Sequence, residues 1–257
     1  MQPPLPILIS IPHGGTETPP EVAGRVRAST AEIFDDGDAF TPGIYDVGDQ
    51  VAHVQVAHVA RAFVDLNRAE HDRPPANTDG VVKTATCFDR PVYDTPLDDT
   101  LTATLLAGYY RPYHAALSKA ALGAGLRLGL DCHSMAALPP PVAPDADTPR
   151  PLFCLSNGEG STCDDALLER LAEQMARAFD CAPEQVALNR PFKGGYITRR
   201  HGRSPLPWIQ IEMNRSLYLA GPWFDPQARR IDEQRLSDLR RRFAEALSGT
   251  VLAVRSG

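Results

Sequence analysis

Two short apolar runs, each ending at a histidine, constrain the fold of this chain more than any other feature. The first covers residues 7–11, is interrupted only by Ser10, and is followed by Pro12, His13 and two glycines. A run of this length is too short for a helix and long enough for one buried strand. Ligands of open α/β sheets bind beyond the carboxyl ends of the strands, which makes His13 a candidate site residue. A surface histidine in a turn is the alternative for this run taken alone.

The second run, in residues 126–135 (LRLGLDCHSM), repeats this form and places His133 at the end of another predicted strand. If both strands end at the same edge of one sheet, His13 and His133 supply two nitrogen ligands for a metal ion. Catalytic zinc typically takes three protein ligands and keeps one position for water, so the third ligand would be a carboxylate. Asp131 either helps to orient His133 or simply ends the strand.

Four acidic residues are candidates for that carboxylate or for a catalytic role. Asp35, Asp36 and Asp38 crowd around a glycine, a pattern that usually forms a solvated turn and that can also supply a carboxylate to a metal. Glu212 lies inside the apolar run WIQIEMN, where an ionised carboxylate is costly unless it is paired or used. We therefore expect a functional role for Glu212 more than for any other acidic residue. A glutamate exposed at the sheet edge is the alternative.

Two basic groups are candidates for binding a carboxylate. Arg68 follows the apolar run RAFVDLNR, and its guanidinium can bind a carboxylate through two parallel hydrogen bonds, although pairing with Asp65 or simple exposure would also explain it. In RPFKGGYITRRHG, basic residues surround a glycine pair that suits a tight hairpin, with YITR as the returning strand. Lys193 or Arg199 could there hold a substrate carboxylate or an oxyanion, whereas a charged hairpin tip is the alternative.

The remaining patterns predict further strands and helices. Residues 51–66 have the composition of a strand, on which His53 and His58 would point to opposite faces, so we interpret both as structural. Residues 98–122 have the apolar spacing of a helix, which Pro112 is expected to kink or divide. Further strands are predicted in residues 151–157 and 208–214, further helices in residues 161–179 and within 226–252, and a flexible loop in residues 138–151.

The composition is that of a soluble globular protein. With 257 residues, 43% hydrophobic and 23% charged, the chain can bury a sizeable core. Its net charge of -6 argues against nucleic acid as a partner, and the sequence has no apolar run approaching the ~20 residues of a membrane span. The N-terminus lacks the pattern of a secretory signal and the five cysteines form no C-x-x-C pair, so we expect reduced thiols and a cytoplasmic protein. Either a monomer or a homo-oligomer is compatible with the sequence.

Seven stretches of the chain together resemble the N-formylglutamate amidohydrolase family. They cover nearly the whole chain, and the specificity of the match lies in their number and order. The resemblance implies an α/β fold, with residues 1–257 as a single domain. That domain would be a mixed β-sheet flanked by helices, similar to the zinc carboxypeptidases and aspartoacylases, with one metal at the strand ends. The stretches are SIPHGGTETP, DGDAFTPGIYDV, RAFVDLNR, RPYHAAL, LDCHSM, RPFKGGYITRRHG and IQIEMNR.

The resemblance implies a set of metal ligands. His13 and His133 match the two metal-binding histidines of the family. Asp38 matches the acidic ligand, although the tryptophan that follows this residue in the family is replaced by alanine here. The implied cofactor is Zn²⁺ or another divalent metal. Glu17 and Asp36 remain alternatives to Asp38 as the third ligand.

The resemblance also implies a reaction. Glu212 matches the general base of a metal-dependent hydrolase that cleaves the formyl amide of N-formyl-L-glutamate into formate and L-glutamate, in histidine degradation. Alternatives are an amidohydrolase for another N-acyl amino acid or small peptide amide, and a non-catalytic protein that binds metal or anions. A cysteine hydrolase using Cys132 is disfavoured, because adjacent residues on a strand point to opposite faces. The residues expected to contact the small anionic N-acyl amino acid substrate are Asn67, Arg68, Lys193, Thr198 and Arg199.

Overall fold

Six strands form the central sheet of the protein, for which a computed structural model describes residues 3–139 and 148–254. The order of the strands is β2-β1-β3-β6-β4-β5, in which β4 is antiparallel to β6 and the other neighbouring pairs are parallel. The predicted mixed sheet is therefore confirmed. The strands are β1 (Leu5–Ile11), β2 (Val51–Val56), β3 (Leu128–Met135), β4 (Phe153–Ser156), β5 (Val186–Leu188) and β6 (Trp208–Asn214).

Helices cover both faces of this sheet. The described residues also include a small antiparallel ribbon, β7 (Phe224–Asp225) with β8 (Arg230–Ile231). None of the helices in residues 3–139 and 148–254 is long and apolar enough to cross a membrane. The helices are α1 (Thr30–Asp36), α2 (Thr41–Tyr45), α3 (Asp99–Leu105), α4 (Arg111–Ala121), α5 (Asp165–Phe179), α6 (Tyr196–His201) and α7 (Glu233–Val254).

The strand period of two separates the chain into two apolar cores. On β1, Ile7 and Ile9 face one core together with α5 and α7, while Leu8 faces the other core with α3 and α4. The same alternation on β6 turns Ile209 towards the first core and Trp208 towards the second. His133 of β3 and Glu212 of β6, near the carboxyl ends of these strands, therefore emerge on the second face, which is the face that carries the candidate site.

The helix predicted over residues 98–122 is present, with a change of hydrogen-bond register inside it. It consists of α3, a π-helical turn at Leu106–Tyr110 and α4, with Pro112 in the first turn of α4. Proline has no backbone N–H to donate and its ring crowds the preceding turn, so a change of hydrogen-bond register directly before it is expected. The chain therefore stays helical from Asp99 to Ala121, and the interruption lies in the turn before Pro112 and not at Pro112 itself.

The strand predicted over residues 51–66 was too long. β2 ends at Val56, and residues 57–98, all of which the structure describes, form no helix or strand. Ala60, Phe63 and Val64 are buried, and the amides of Phe63 and Val64 both donate to the carbonyl of Ala60. Residues 62–66 are all buried, whereas a half-buried strand would bury alternate residues, so this segment packs as a buried turn.

The hairpin predicted at RPFKGGYITRRHG was wrong. Gly194 has φ of +99°, and after Gly195 the chain enters α6 instead of returning as a strand. Ile197, Thr198 and His201 are buried on one side of α6. The helical spacing of these three residues explains why the segment packs as a helix. The predicted loop over residues 138–151 falls largely on residues 140–147, which lie outside the described residues.

A buried histidine pair connects α6 to α4, and it predicts loss of stability in acid. The rings of His114 and His201 stack at an interplanar angle of 7°, with His114 Nδ1 3.2 Å from His201 Nε2. Burial lowers the pKa of each histidine to about 4. Because these values lie below the pKa of an unfolded histidine, the stabilisation is complete above about pH 6.5 and is lost as the pH falls towards 4.

We expect His201→Gln to remove part of this acid sensitivity. Urea unfolding at pH 7 and pH 4.5 should give a pH-dependent loss that is smaller in the variant by about 1–3 kcal/mol. The exposed His71 provides the matched control, His71→Gln, which should behave as the natural chain. An identical pH dependence in His201→Gln and the natural chain would contradict the prediction.

Candidate active site

Three donor atoms from His13, Asp38 and His133 meet at the carboxyl ends of β1 and β3. His133 Nδ1 lies 3.1 Å from His13 Nδ1 and 3.1 Å from Asp38 Oδ2, and the latter two atoms are 3.5 Å apart. All three side chains are buried. Among the described residues they form the cluster that could hold a metal ion.

The dimensions of this triangle fit a zinc-sized ion. Four ligands placed tetrahedrally at about 2.0–2.1 Å from zinc lie about 3.3–3.4 Å from one another. The three observed separations lie on both sides of that value. Two imidazole nitrogens and one carboxylate oxygen are also a donor set that suits zinc and related divalent metals.

Carboxylates hold the other nitrogen of each histidine ring. Asp65 Oδ1 is 2.8 Å from His13 Nε2, and Asp131 Oδ1 is 3.0 Å from His133 Nε2. Each carboxylate therefore stabilises the tautomer in which Nε2 carries the proton and the lone pair of Nδ1 faces the other donors. Burial opposes charge on His133, but Asp131 and Asp38 outweigh burial and raise its pKa well above the usual range. The carboxylates around His133 therefore favour a positive charge on its ring.

The register of β3 and β6 places Glu212 beside His133, its direct partner across the two strands. Gln210 Nε2 donates a 2.7 Å hydrogen bond to Glu212 Oε1. Burial, helped by the negative charge of Asp38, raises the pKa of Glu212 to about 7. A carboxyl group with this pKa can take up and release a proton near neutral pH, which is what a general base requires.

These residues line a pocket of about 550 Å³ with charged walls. A groove of about 620 Å³ also exists between α5 and β5, and none of the candidate residues lines it. The cations that line the charged pocket are Arg61, Arg68, Arg150, Lys193 and Arg215.

Three of the five residues predicted to contact substrate line this pocket. Arg68 is partly exposed and donates a 2.8 Å hydrogen bond to Asp79 Oδ2. Lys193 Nζ lies 2.7 Å from Glu159 Oε1 on the exposed rim. Asn67 accepts a hydrogen bond from the amide of Ile197, and its side-chain nitrogen lies 3.3 Å from His133 Nε2.

The other two predicted contact residues have different surroundings. Thr198 is fully buried and donates to Asp131 Oδ2 at 2.9 Å, so its hydroxyl supports the carboxylate that holds His133. Arg199 is exposed and donates to the carbonyls of Gly194 and Lys193, which fixes the turn before α6. Neither residue belongs to the pocket lining.

Neither alternative to Asp38 lies with the two histidines. Glu17 is exposed, and its amide donates to the carbonyl of His58. Asp36 is buried, but its oxygens lie 2.9 and 3.1 Å from Lys83 Nζ. Asp38, in contrast, is held close to the first histidine because its amide donates to the carbonyl of His13 at 2.9 Å.

Several residues of the site were missed in the sequence. Arg61 holds Asp65 with a 3.0 Å hydrogen bond, and both lie in the stretch RAFVDLNR. Gln210 and Arg215 lie in IQIEMNR, so these two stretches contain the signal even though their individual residues were not assigned. The guanidinium of Arg150 lies 5.0 Å from the ring centre of Phe192. Arg150 follows the proline-rich loop in the sequence, and no sequence pattern there indicates a functional role for it.

The sequence model of the N-formylglutamate amidohydrolase family matches residues 5–219. The chain belongs to this family. The resemblance inferred from seven short stretches is therefore confirmed. The matched region includes both histidines of the site, Asp38 and Glu212, and it ends before α7.

Relatives in the family agree with this assignment in sequence and in fold. N-formylglutamate deformylases of Pseudomonas aeruginosa and Pseudomonas putida are 34% and 32% identical to this chain over 227 residues. Each alignment covers 84% of this chain and 82% of the relative. The crystal structure of N-formylglutamate amidohydrolase from Ralstonia eutropha JMP134 is 26% identical and superposes with a TM-score of 0.81, covering 100% of this chain and 96% of that one.

Proposed function

We propose that this protein hydrolyses the formyl amide of N-formyl-L-glutamate to formate and L-glutamate. The observation that carries the proposal is Glu212, a buried carboxyl group with a pKa of about 7, beside the donors of His13, Asp38 and His133. The names of the Pseudomonas relatives support the substrate. We further propose that the reaction serves histidine degradation in the cytoplasm.

The three clustered side chains would hold Zn²⁺ or another divalent metal. When bound, such a metal polarises a carbonyl oxygen and lowers the pKa of water, as in other metal-dependent amide hydrolysis. Asp65 and Asp131 keep the rings of His13 and His133 turned with Nδ1 towards this position. The buried histidine rings are therefore already oriented for the metal, and His133 releases a proton when the metal binds.

Glu212 transfers the proton in this mechanism. As a carboxylate it accepts a proton from the water molecule that attacks the formyl carbon, and it then delivers that proton to the leaving amine nitrogen. Gln210 fixes Glu212 by donating to Oε1, which leaves Oε2 for the water. The C–N bond breaks as the nitrogen is protonated, so the products are formate and the free amino acid.

Cationic side chains of the pocket bind the two carboxylates of the substrate. The guanidinium of Arg68 can offer a carboxylate two parallel hydrogen bonds, and its position is fixed by Asp79. Lys193 and Arg150 supply further positive charge in the pocket lining. The pocket lining holds six carboxyl groups beside its five cations, so binding of a small dicarboxylate depends on the placement of individual cations and on the charge of the bound divalent metal.

A comparison of substrates tests this function. Formate release should be fastest from N-formyl-L-glutamate and about 10–100-fold slower, in kcat/KM, from N-formyl-L-glutamine, because the amide removes one charge-assisted contact. N-acetyl-L-glutamate, whose hydrolysis is followed by release of L-glutamate, serves as the control for the acyl group. Equal rates on glutamate and glutamine derivatives would contradict recognition of the side-chain carboxylate. Faster turnover of another N-acyl amino acid would favour the alternative amidohydrolase.

A further inference from the structure

Arg215 follows β6 directly and contacts Asp38, one of the three clustered donors. Its Nη2 is 2.9 Å from Asp38 Oδ1 and donates to the carbonyl of Gly37 at 2.7 Å. Its Nε donates to Ser134 Oγ at 3.0 Å. One guanidinium therefore links the turn that carries Asp38 to the end of the strand that carries His133.

This contact divides the two oxygens of Asp38 between two partners. Oδ1 accepts from Arg215, whereas Oδ2 accepts from the amide of Ser134 at 3.2 Å and lies 3.1 Å from His133 Nδ1. A carboxylate held at both oxygens cannot rotate freely. It presents one chosen oxygen to the two histidine nitrogens.

We propose that Arg215 is a positioning residue for the metal site, which keeps Asp38 as a ligand through Oδ2 alone. This inference rests on the metal site of the proposed function. Hydrogen bonds to ligating carboxylates fix the ligand, and their loss typically weakens metal binding about 10–100-fold. The guanidinium has a planar set of donors that reaches Asp38, Gly37 and Ser134 at the same time. A lysine has one nitrogen and cannot reproduce this arrangement.

A role confined to folding would have different consequences. In that case Arg215 would tie the turn at Gly37 to the end of β3 and add to the free energy of unfolding, without changing how a metal binds. The two roles are separated by measuring metal binding directly, in the absence of any substrate.

The experiment compares zinc binding by the natural chain, Arg215→Met and Arg215→Lys. The zinc dissociation constant is measured by competition with a chromophoric chelator, and the visible spectrum of the Co²⁺ form reports the number of ligands. We expect Arg215→Met to bind zinc about 10–100-fold more weakly. We also expect its Co²⁺ absorption to weaken, because both oxygens of Asp38 become available as ligands. Arg242→Met on α7 removes an arginine that holds Asp238 and serves as the control.

The outcomes distinguish the two proposals. An unchanged zinc constant and Co²⁺ spectrum in Arg215→Met, with only a smaller free energy of unfolding, would overturn the role of Arg215 and leave the proposed function intact. If Arg215→Met does not fold, Arg215→Lys takes its place, because it keeps the positive charge but should still bind zinc more weakly. A zinc dissociation constant of Arg215→Lys equal to that of the natural chain would then overturn the inference. Failure of the natural chain to bind any divalent metal would overturn the proposed function together with this inference.

Discussion

Replacing Glu212 with glutamine is expected to lower kcat/KM for N-formyl-L-glutamate by about 10²–10⁴-fold. Glutamine has nearly the same shape as the natural side chain but cannot accept a proton from water or return it to the leaving nitrogen. Glu212 is not one of the three clustered donors, so the variant should keep the metal content of the natural chain. Formate release and elemental analysis of the same preparation measure both quantities.

The matched control is Glu173→Gln, which changes an exposed glutamate on α5 in the same way. It should retain full activity. Removing the metal from the natural chain with a chelator and restoring it with Zn²⁺ identifies the activity that depends on metal. High residual activity in Glu212→Gln would exclude Glu212 as the general base, and a fall in metal content parallel to the fall in activity would make it a ligand instead.

Replacing Lys83 with methionine is expected to destabilise the protein by about 3–5 kcal/mol. Lys83 is fully buried, with Nζ 2.9 Å from Asp36 Oδ2 and 2.6 Å from Asp79 Oδ1. Removing the cation leaves the buried carboxylate of Asp36 without its ion-pair partner. The loss is measured as the free energy of unfolding in urea at pH 7, with exposed Lys119→Met on α4 as the control that should change little.

The pH dependence identifies the cause of this loss. In the natural chain burial opposes the charge of Asp36, but Lys83 and Arg61 outweigh burial and lower its pKa. Without Lys83 the pKa of Asp36 should rise above its unfolded value of about 3.9, so protonation in acid relieves the penalty. The difference between Lys83→Met and the natural chain should therefore shrink from pH 7 to pH 4.5. A constant difference would indicate lost packing in place of an unpaired charge.

The strands that carry the site could be predicted because their signals are local. The apolar runs before His13 and His133 have the length of buried strands and end in polar residues, and β1 and β3 are indeed neighbouring parallel strands. The unusual carboxylate of Glu212 in an apolar run was also visible. That Glu212 lies directly across from His133 depends on the register of β3 and β6, which join residues about 80 positions apart.

Contacts between distant segments account for most of what the sequence did not reveal. Arg215 and Asp38 are 177 positions apart, and no short pattern connects them. The family resemblance assigned Thr198 to substrate, but the helical packing of α6 turns its hydroxyl towards Asp131. Polar contacts of this kind form because the tertiary fold brings distant segments together, so residue type alone does not predict them.

Residues 57–98 have a consequence for how proteins of this family can diverge. This irregular segment supplies Asp65, which holds His13, and beyond it Arg68 and Asp79 of the pocket. The donor cluster itself and Glu212 are carried by or adjoin the strands. Strand residues are constrained by register, since a shift of one position would exchange the two faces of the sheet. Loops tolerate insertion and replacement more readily. Selection can therefore exchange the acid that is recognised through residues 68–98, which follow Asp65, while the hydrolytic machinery is inherited unchanged. This part of the segment is the natural target for redirecting specificity in the laboratory.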